Sequence, residues 1–270
     1  MLECEFSPIT NARNLSKLTV QMKKNKRQEI ILKEISLHNK VHSVELSELL
    51  QVSNDTIRRD IAELDEQGLI SKVHGGAISK SFVSPFNSDN ITYAAEEKQL
   101  IAKKALSLFK NDMVILTEGG TTILEMAKLI PSQLKATFIT ISPQVGIVLA
   151  QHGNLDVIGI GGKLIENGNL YIGSSVVEQL SNLRADYCIL GANAFSSEAG
   201  LTDADWEVVQ VKKALIRAAK KVVVVCISEK VNTQKWLKIC GIEEIDYLIT
   251  ELDPTDPQLA SFVQKNINVL

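Results

Sequence analysis

Asn54, Thr56, Arg58 and Arg59 fall within six consecutive positions and carry the side chains best suited to reading DNA. An asparagine amide pairs with an adenine edge, a threonine methyl touches thymine, and an arginine fork grips guanine or phosphate. Arg59 is expected nearer phosphate, the other three nearer bases. A second set of polar and small residues follows apolar runs further along: Glu118-Gly119-Gly120-Thr121-Thr122, Ser142, Gly161-Gly162-Lys163, Gly191-Ala192-Asn193 and Ser228-Glu229-Lys230. Glycines let backbone approach an anion, hydroxyls donate to it, and a helix N-terminus adds partial positive charge. Lys163 and Lys230 can each supply a full charge to a phosphate, while Glu118 and Glu207 can accept hydrogen bonds from sugar hydroxyls.

The first set needs a helix to present it. Ser43 is expected to cap a short helix carrying Val44, Leu46, Leu49 and Leu50, and Ser53 to cap a second one after a break at Gln51-Val52. Two helices so closely spaced form a helix-turn-helix. In the second, Ile57, Ile61 and Leu64 recur at spacings of four and three, so they share a buried face. The opposite face holds the DNA-reading side chains. Gly68 ends the helix, Leu69–Val73 alternates as a strand, and His74-Gly75-Gly76 turns back. This is a wing, from which Lys72 and His74 reach backbone or minor groove in an orienting role.

The second set needs a sheet. From residue 94 onward apolar strands, at 113–116, 137–141, 157–160, 188–190, 222–227 and 247–249, alternate with helices, including an amphipathic one over 208–219. Continuous apolar strands between helices imply an α/β domain whose mostly parallel sheet is covered on both faces. Ligands in such folds bind at the C-terminal ends of strands, where the second set falls. Ser142 is placed there as the cap of a helix that opens with Pro143.

With 270 residues, 45% of them hydrophobic and 23% charged, the chain can bury one large core and one small one. The expected division is residues 1–21 as a tail or a misassigned start, with Met22 as the alternative start; 22–78 as the DNA-binding head; 79–93 as a polar, proline-broken linker; and 94–270 as the α/β domain. Residues 22–80 hold ten Lys and Arg against nine Asp and Glu, so affinity for DNA must come from local placement and paired copies. No apolar run is long enough to span a membrane and no secretion signal opens the chain, so a cytoplasmic protein is expected. Cys4, Cys188, Cys226 and Cys240 lack metal-type spacing and are expected as free thiols. No metal, cofactor or catalytic residue is assigned.

The run Thr56-Ile57-Arg58-Arg59-Asp60, with Leu64, Gly68-Leu69-Ile70 and His74-Gly75-Gly76-Ala77, resembles the DeoR family of bacterial regulators, and the likeness continues over about nine-tenths of the chain. The resemblance implies a winged helix-turn-helix joined to a Rossmann-like sensor domain similar to ribose-5-phosphate isomerases and coenzyme A transferases. It implies a repressor of a carbohydrate catabolism operon, a dimer or tetramer on double-stranded operator DNA that a phosphorylated sugar or related metabolite releases. The family's Gly-Thr-Thr turn, Gly-Gly turn, later glycine, glutamate and lysine match Gly120-Thr121-Thr122, Gly161-Gly162, Gly173, Glu207 and Lys230. The chain departs from the family where Glu118 replaces an aspartate, where Ile141 follows Thr140 in place of asparagine, where Ile227 replaces an aspartate, and where an arginine upstream of Glu97-Lys98 is missing. The alternatives are a phosphosugar isomerase-like enzyme using Glu118 or Glu207 as base, and a regulator whose sensor has lost its ligand.

Overall fold

Apolar residues at helical spacing build the small domain first. In this computed structural model, which describes residues 23–38, 40–79, 93–165 and 170–270, the head runs α1 (Lys24–His38), β1 (Lys40–His42), α2 (Ser43–Leu50), α3 (Asn54–Glu66), β2 (Ile70–Val73) and β3 (Gly76–Ser79). Ile31 and Ile35 of α1, Leu46 of α2 and Ile57, Ile61 and Leu64 of α3 meet in one core. The strands form an antiparallel sheet in the order β1-β3-β2, so the wing has a third strand that the sequence pattern does not announce. Arg27 of α1 and Asp60 of α3 form a buried ion pair, with Nη2 donating to Oδ1 at 3.0 Å and Nε to Oδ2. This pair ties α1 to the recognition helix.

One cap is placed differently from expectation. Ser43 is the first residue of α2 and buried, its N–H donating to the Gly75 carbonyl at 2.8 Å, while the extended residue before the helix is His42, which makes no side-chain cap. The reason is β1, whose pairing with β3 already sets the direction of the chain into α2. Val44 and Leu49 are exposed, leaving Leu46 and Leu50, four apart, as the buried stripe. The expected tail, with Met22 and Cys4, and nearly all of the linker lie outside the described residues.

The larger domain contains α4 (Ala95–Leu106), β4 (Val114–Thr117), α5 (Thr121–Lys128), β5 (Ala136–Thr140), α6 (Pro143–Leu149), β6 (Leu155–Gly159), β7 (Lys163–Ile165), β8 (Leu170–Ile172), α7 (Ser174–Ser181), β9 (Ala185–Gly191), β10 (Ala194–Ser196), β11 (Gly200–Asp203), α8 (Trp206–Arg217), β12 (Ala219–Val225), β13 (Leu237–Cys240), β14 (Tyr247–Ile249), α9 (Ala260–Gln264) and β15 (Asn268–Val269). Seven strands form an all-parallel sheet in the order β15-β14-β12-β9-β4-β5-β6. Alternate residues feed two cores. Ile115, Ile189, Val223 and Val225 face α4, α5 and α6, while Leu116, Cys188, Leu190, Val222 and Val224 face α7 and α8. Burial on both faces is why these strands read as unbroken apolar runs. A small antiparallel sheet, β10-β11-β13, and the β7-β8 hairpin complete the domain.

The strand order places the site. The chain winds outward from β4 through β5 to β6, then returns to the other side of β4 with β9 and winds outward again. The crevice between the C-terminal ends of β4 and β9 is therefore the topological switch point, where open α/β sheets bind ligands.

Candidate functional site

On the head, Ser53 caps α3, its Oγ accepting from the Thr56 N–H at 3.2 Å and lying 2.9 Å from Thr56 Oγ1. Arg58 and Arg59 are exposed on the face away from the core, and Asp55 pairs with Arg59 at 2.6 Å. Arg58 makes no ion pair among the described residues. Asn54 Oδ1 is buried and without a hydrogen-bond partner among them. Lys72 and His74 project from the wing, which the Lys72 N–H fastens to α3 through Asp65 Oδ1 at 3.1 Å. Ser43 stands apart from this surface because it is buried. If Arg58 grips a guanine, Arg58→Ala costs about 1–3 kcal/mol and relaxes sequence preference, whereas Arg59→Ala weakens all sequences alike and flattens the salt dependence. Fluorescence anisotropy with specific and scrambled duplexes at several salt concentrations separates the two, and equal effects on both duplexes contradict this division.

At the switch point, Glu118-Gly119-Gly120 leaves β4 and Thr121-Thr122 opens α5. Gly120 takes φ +111°, which L side chains rarely adopt. A Cβ on Gly119 would come within 2.6 Å of the Leu170 side chain and 3.0 Å of Ser142. The turn therefore stays bare, and its backbone N–H groups open onto a cavity of about 150 Å³ between β4, β9, β12 and α1. Two lysines line the cavity, Lys98 buried and Lys230 half-buried. Lys98 of α4 donates to the Tyr93 carbonyl, and Lys230 donates to the Ala192 carbonyl at 3.1 Å. Neither has a carboxylate ion-pair partner among the described residues. Burial pushes each down to about 8, reinforced at Lys98 by the charge of Lys230 and at Lys230 by that of Lys212. Two such cationic groups beside a helix N-terminus make a site that favours an anion.

The chain's sequence matches the family description "DeoR C terminal sensor domain" over residues 93–252 and "DeoR-like helix-turn-helix domain" over residues 27–82. The chain belongs to the DeoR family of DNA-binding transcriptional regulators. It is similar to the HTH-type transcriptional regulator GolR of Listeria innocua, with 35% identity over 83% of this chain and 89% of that protein. It is also similar to the HTH-type transcriptional repressor GlcR of Bacillus subtilis, at 32% over 86% and 90%, and to the glycerol-3-phosphate regulon repressor of Haemophilus influenzae, at 31% over 85% and 90%. Among solved structures, ribose 5 phosphate isomerase A from Neisseria gonorrhoeae shares 17% identity over 54% of this chain and 57% of that one, with a TM-score of 0.40.

In this DeoR-family chain the structure gathers Glu118, Gly119, Gly120, Thr121, Thr122 and Lys230 around one cavity. Five other expected residues lie outside the cavity wall. Ser142 is spent capping α6, its Oγ accepting from the Val145 N–H at 3.4 Å. Gly161 and Gly162 lead into β7, with the Gly161 carbonyl accepting from Gln179 at 3.0 Å. Lys163 and Glu207 pair with each other at 3.5 Å on the surface, so neither charge is aimed into the crevice. The family's aspartate position is filled by Ile227, which lines the cavity, and Ile141 packs into the core.

Several residues of the site carry little signal in the sequence. Lys212 of α8 is buried, with Nζ 3.1 Å from Glu118 Oε1, 3.2 Å from Asp203 Oδ2 and 3.0 Å from the Gly191 carbonyl. Glu118 Oε2 accepts from the Gly191 N–H at 3.1 Å, and Asp203 Oδ1 from Asn193 Nδ2 at 3.2 Å. Burial alone would lower Lys212, but the two carboxylates hold it above its ordinary value; burial raises Glu118, while Lys212 and Asn193 keep Asp203 low. Lys212 shares the buried stripe of α8 with Val209, Leu215 and Ile216, and a lysine at that phase is the one signal that could have found it. His38 has no such signal. It comes from the head, yet lies in the cavity 3.3 Å from Asn193 Oδ1, and burial, with Lys235 and Lys230 nearby, pushes its ring down to about 4.

No helix among the described residues is long and apolar enough to cross a membrane. Cys188, Cys226 and Cys240 are buried free thiols.

Proposed function

We propose that this chain is a repressor that binds operator DNA as a dimer or tetramer and releases it when a phosphorylated sugar or polyol enters the switch-point crevice. The observation that carries the ligand class is the pair of ammonium groups lining the cavity, buried Lys98 and half-buried Lys230, which have no carboxylate ion-pair partner among the described residues and lie beside the N-terminus of α5. The phosphate would sit against the Gly119–Thr122 backbone and these lysines. Polar groups such as Asn193 would meet the hydroxyls. Glu118, committed to Lys212, would orient the turn and not act as a base.

The relatives named as repressors, one of them of a glycerol-3-phosphate regulon, support the same reading. A two-fold assembly would supply two reading heads, since one small domain covers too little DNA for specificity. Release would be a coupling free energy: the ligand prefers an arrangement whose heads do not match the operator spacing.

The test is binding of the purified chain to the DNA upstream of its own gene at fixed salt, with and without a panel of sugar phosphates including glycerol 3-phosphate. Specific binding reversed by one phosphorylated compound, but not by its unphosphorylated parent, is the expected result. Release by the parent sugar alone overturns the anion assignment. Turnover of ribose 5-phosphate, lost on Glu118→Gln, would overturn the regulator-only reading in favour of an enzyme.

A further inference from the structure

The last turn of α1 leaves the head's core and enters the sensor. Leu37 is buried among Ile101, Ile123 and Ile227 of the larger domain and takes no part in the head's own cluster. His38 follows it into the cavity against Asn193. One turn earlier, Lys33 lies 3.3 Å from Glu229, whose carboxylate also accepts from the Tyr93 hydroxyl at 2.7 Å. With α1 as one wall, the cavity of about 150 Å³ falls below the roughly 300–1,000 Å³ of clefts that enclose a small-molecule ligand. The head is filling part of the space.

From this contact we infer that the end of α1, Leu37-His38, is a stopper: the docked head and an anion seated in the crevice exclude one another, which links the crevice to the DNA-reading helix. The inference rests on the anion-binding crevice proposed above. The link has two arms. Glu229 and Lys230 are adjacent on one short 3-10 turn, Ser228–Lys230, so the same turn holds α1 through Lys33 and faces the crevice through Lys230. At its other end α1 is tied to α3 by Arg27 and Asp60. A phosphate that draws on Lys230 and takes the space of His38 therefore acts on the element that carries the recognition helix. A rigid helix joins the two sites.

Exclusion gives ligand affinity an unusual dependence on the dock. A ligand that binds only the undocked fraction has an apparent Kd equal to its intrinsic Kd divided by that fraction. Loosening the dock must then tighten ligand binding, whereas removing a side chain that contacts ligand must weaken it.

The experiment is isothermal titration of the full chain with inorganic phosphate and with glycerol 3-phosphate, comparing wild type, His38→Ala and Lys33→Ala. Lys33 lies on the surface outside the cavity, so its variant perturbs the dock while leaving the crevice intact. We expect both variants to bind the probes about three- to tenfold more tightly than wild type. Weaker binding by His38→Ala, with Lys33→Ala unchanged, overturns the stopper and makes His38 a ligand contact. Equal affinities in all three also overturn it while leaving the anion crevice standing. Absence of binding in all three, the undocked variants included, overturns the crevice and the stopper with it.

Discussion

Lys212→Met destabilises the sensor domain by about 3–5 kcal/mol, the cost of breaking a buried ion pair by removing one partner. The ammonium is buried with two carboxylates and a carbonyl around it, and methionine keeps the methylenes while removing the charge. Glu118 and Asp203 are then left in low dielectric without their cation. Each acquires a folded-state pKa above its unfolded value, so the folded variant binds more protons than the unfolded chain. Its stability therefore rises as the pH is lowered through that folded value, and the deficit against wild type narrows. Urea unfolding of both proteins at pH 7.5 and pH 5.5 checks it. A loss under 1 kcal/mol, or a deficit that widens in acid, would show that the network does not hold the β4, β9 and β11 ends together. Because Glu118 and Gly191 both belong to the crevice turns, the variant should also lose ligand binding.

Lys230→Ala lowers affinity for glycerol 3-phosphate about 10- to 100-fold, the range that about 1.5–3 kcal/mol for a hydrogen bond to a charged group converts to. Lys98→Ala falls in the same range, while operator binding without ligand stays within a few-fold. The wild type has a matching pH signature. Burial brings both lysines to about 8, so they are charged below that value and lose protons above it. A phosphate monoester passes the midpoint of its second ionisation at about pH 6. Affinity is therefore greatest between about pH 6 and 8 and falls as the pH rises through 8. Titration calorimetry at pH 6, 7, 8 and 9 reads this directly, and an affinity unchanged from pH 7 to 9 would remove the lysines from the anion site.

The clearest signals in the chain come from residues that lie close together along it. The Ser53 cap, the stripe of Ile57, Ile61 and Leu64, the stop at Gly68 and the wing turn are all local, because helix periodicity and turn chemistry act over a few residues. The apolar runs announce a parallel sheet for the same reason, and its strand ends point to Glu118–Thr122 and Lys230. The misplaced cap at Ser43 marks the limit: β1 is three residues long, and only its pairing with β3 makes it a strand.

What the sequence by itself determined is the kind of molecule: a DNA-reading head of DeoR type, a covered α/β sheet, and glycine-rich turns at strand ends able to receive an anion. What only the tertiary structure decided is which charges share a cavity. Lys163 and Glu207 read as site residues yet neutralise each other on the surface, whereas Lys98, Lys212 and His38 converge on β4 and β9 from three separate helices. Charge, burial and counter-ion are relations between residues far apart in the chain. They come into being only when the strand order brings β9 beside β4 and the end of α1 packs into the crevice between them.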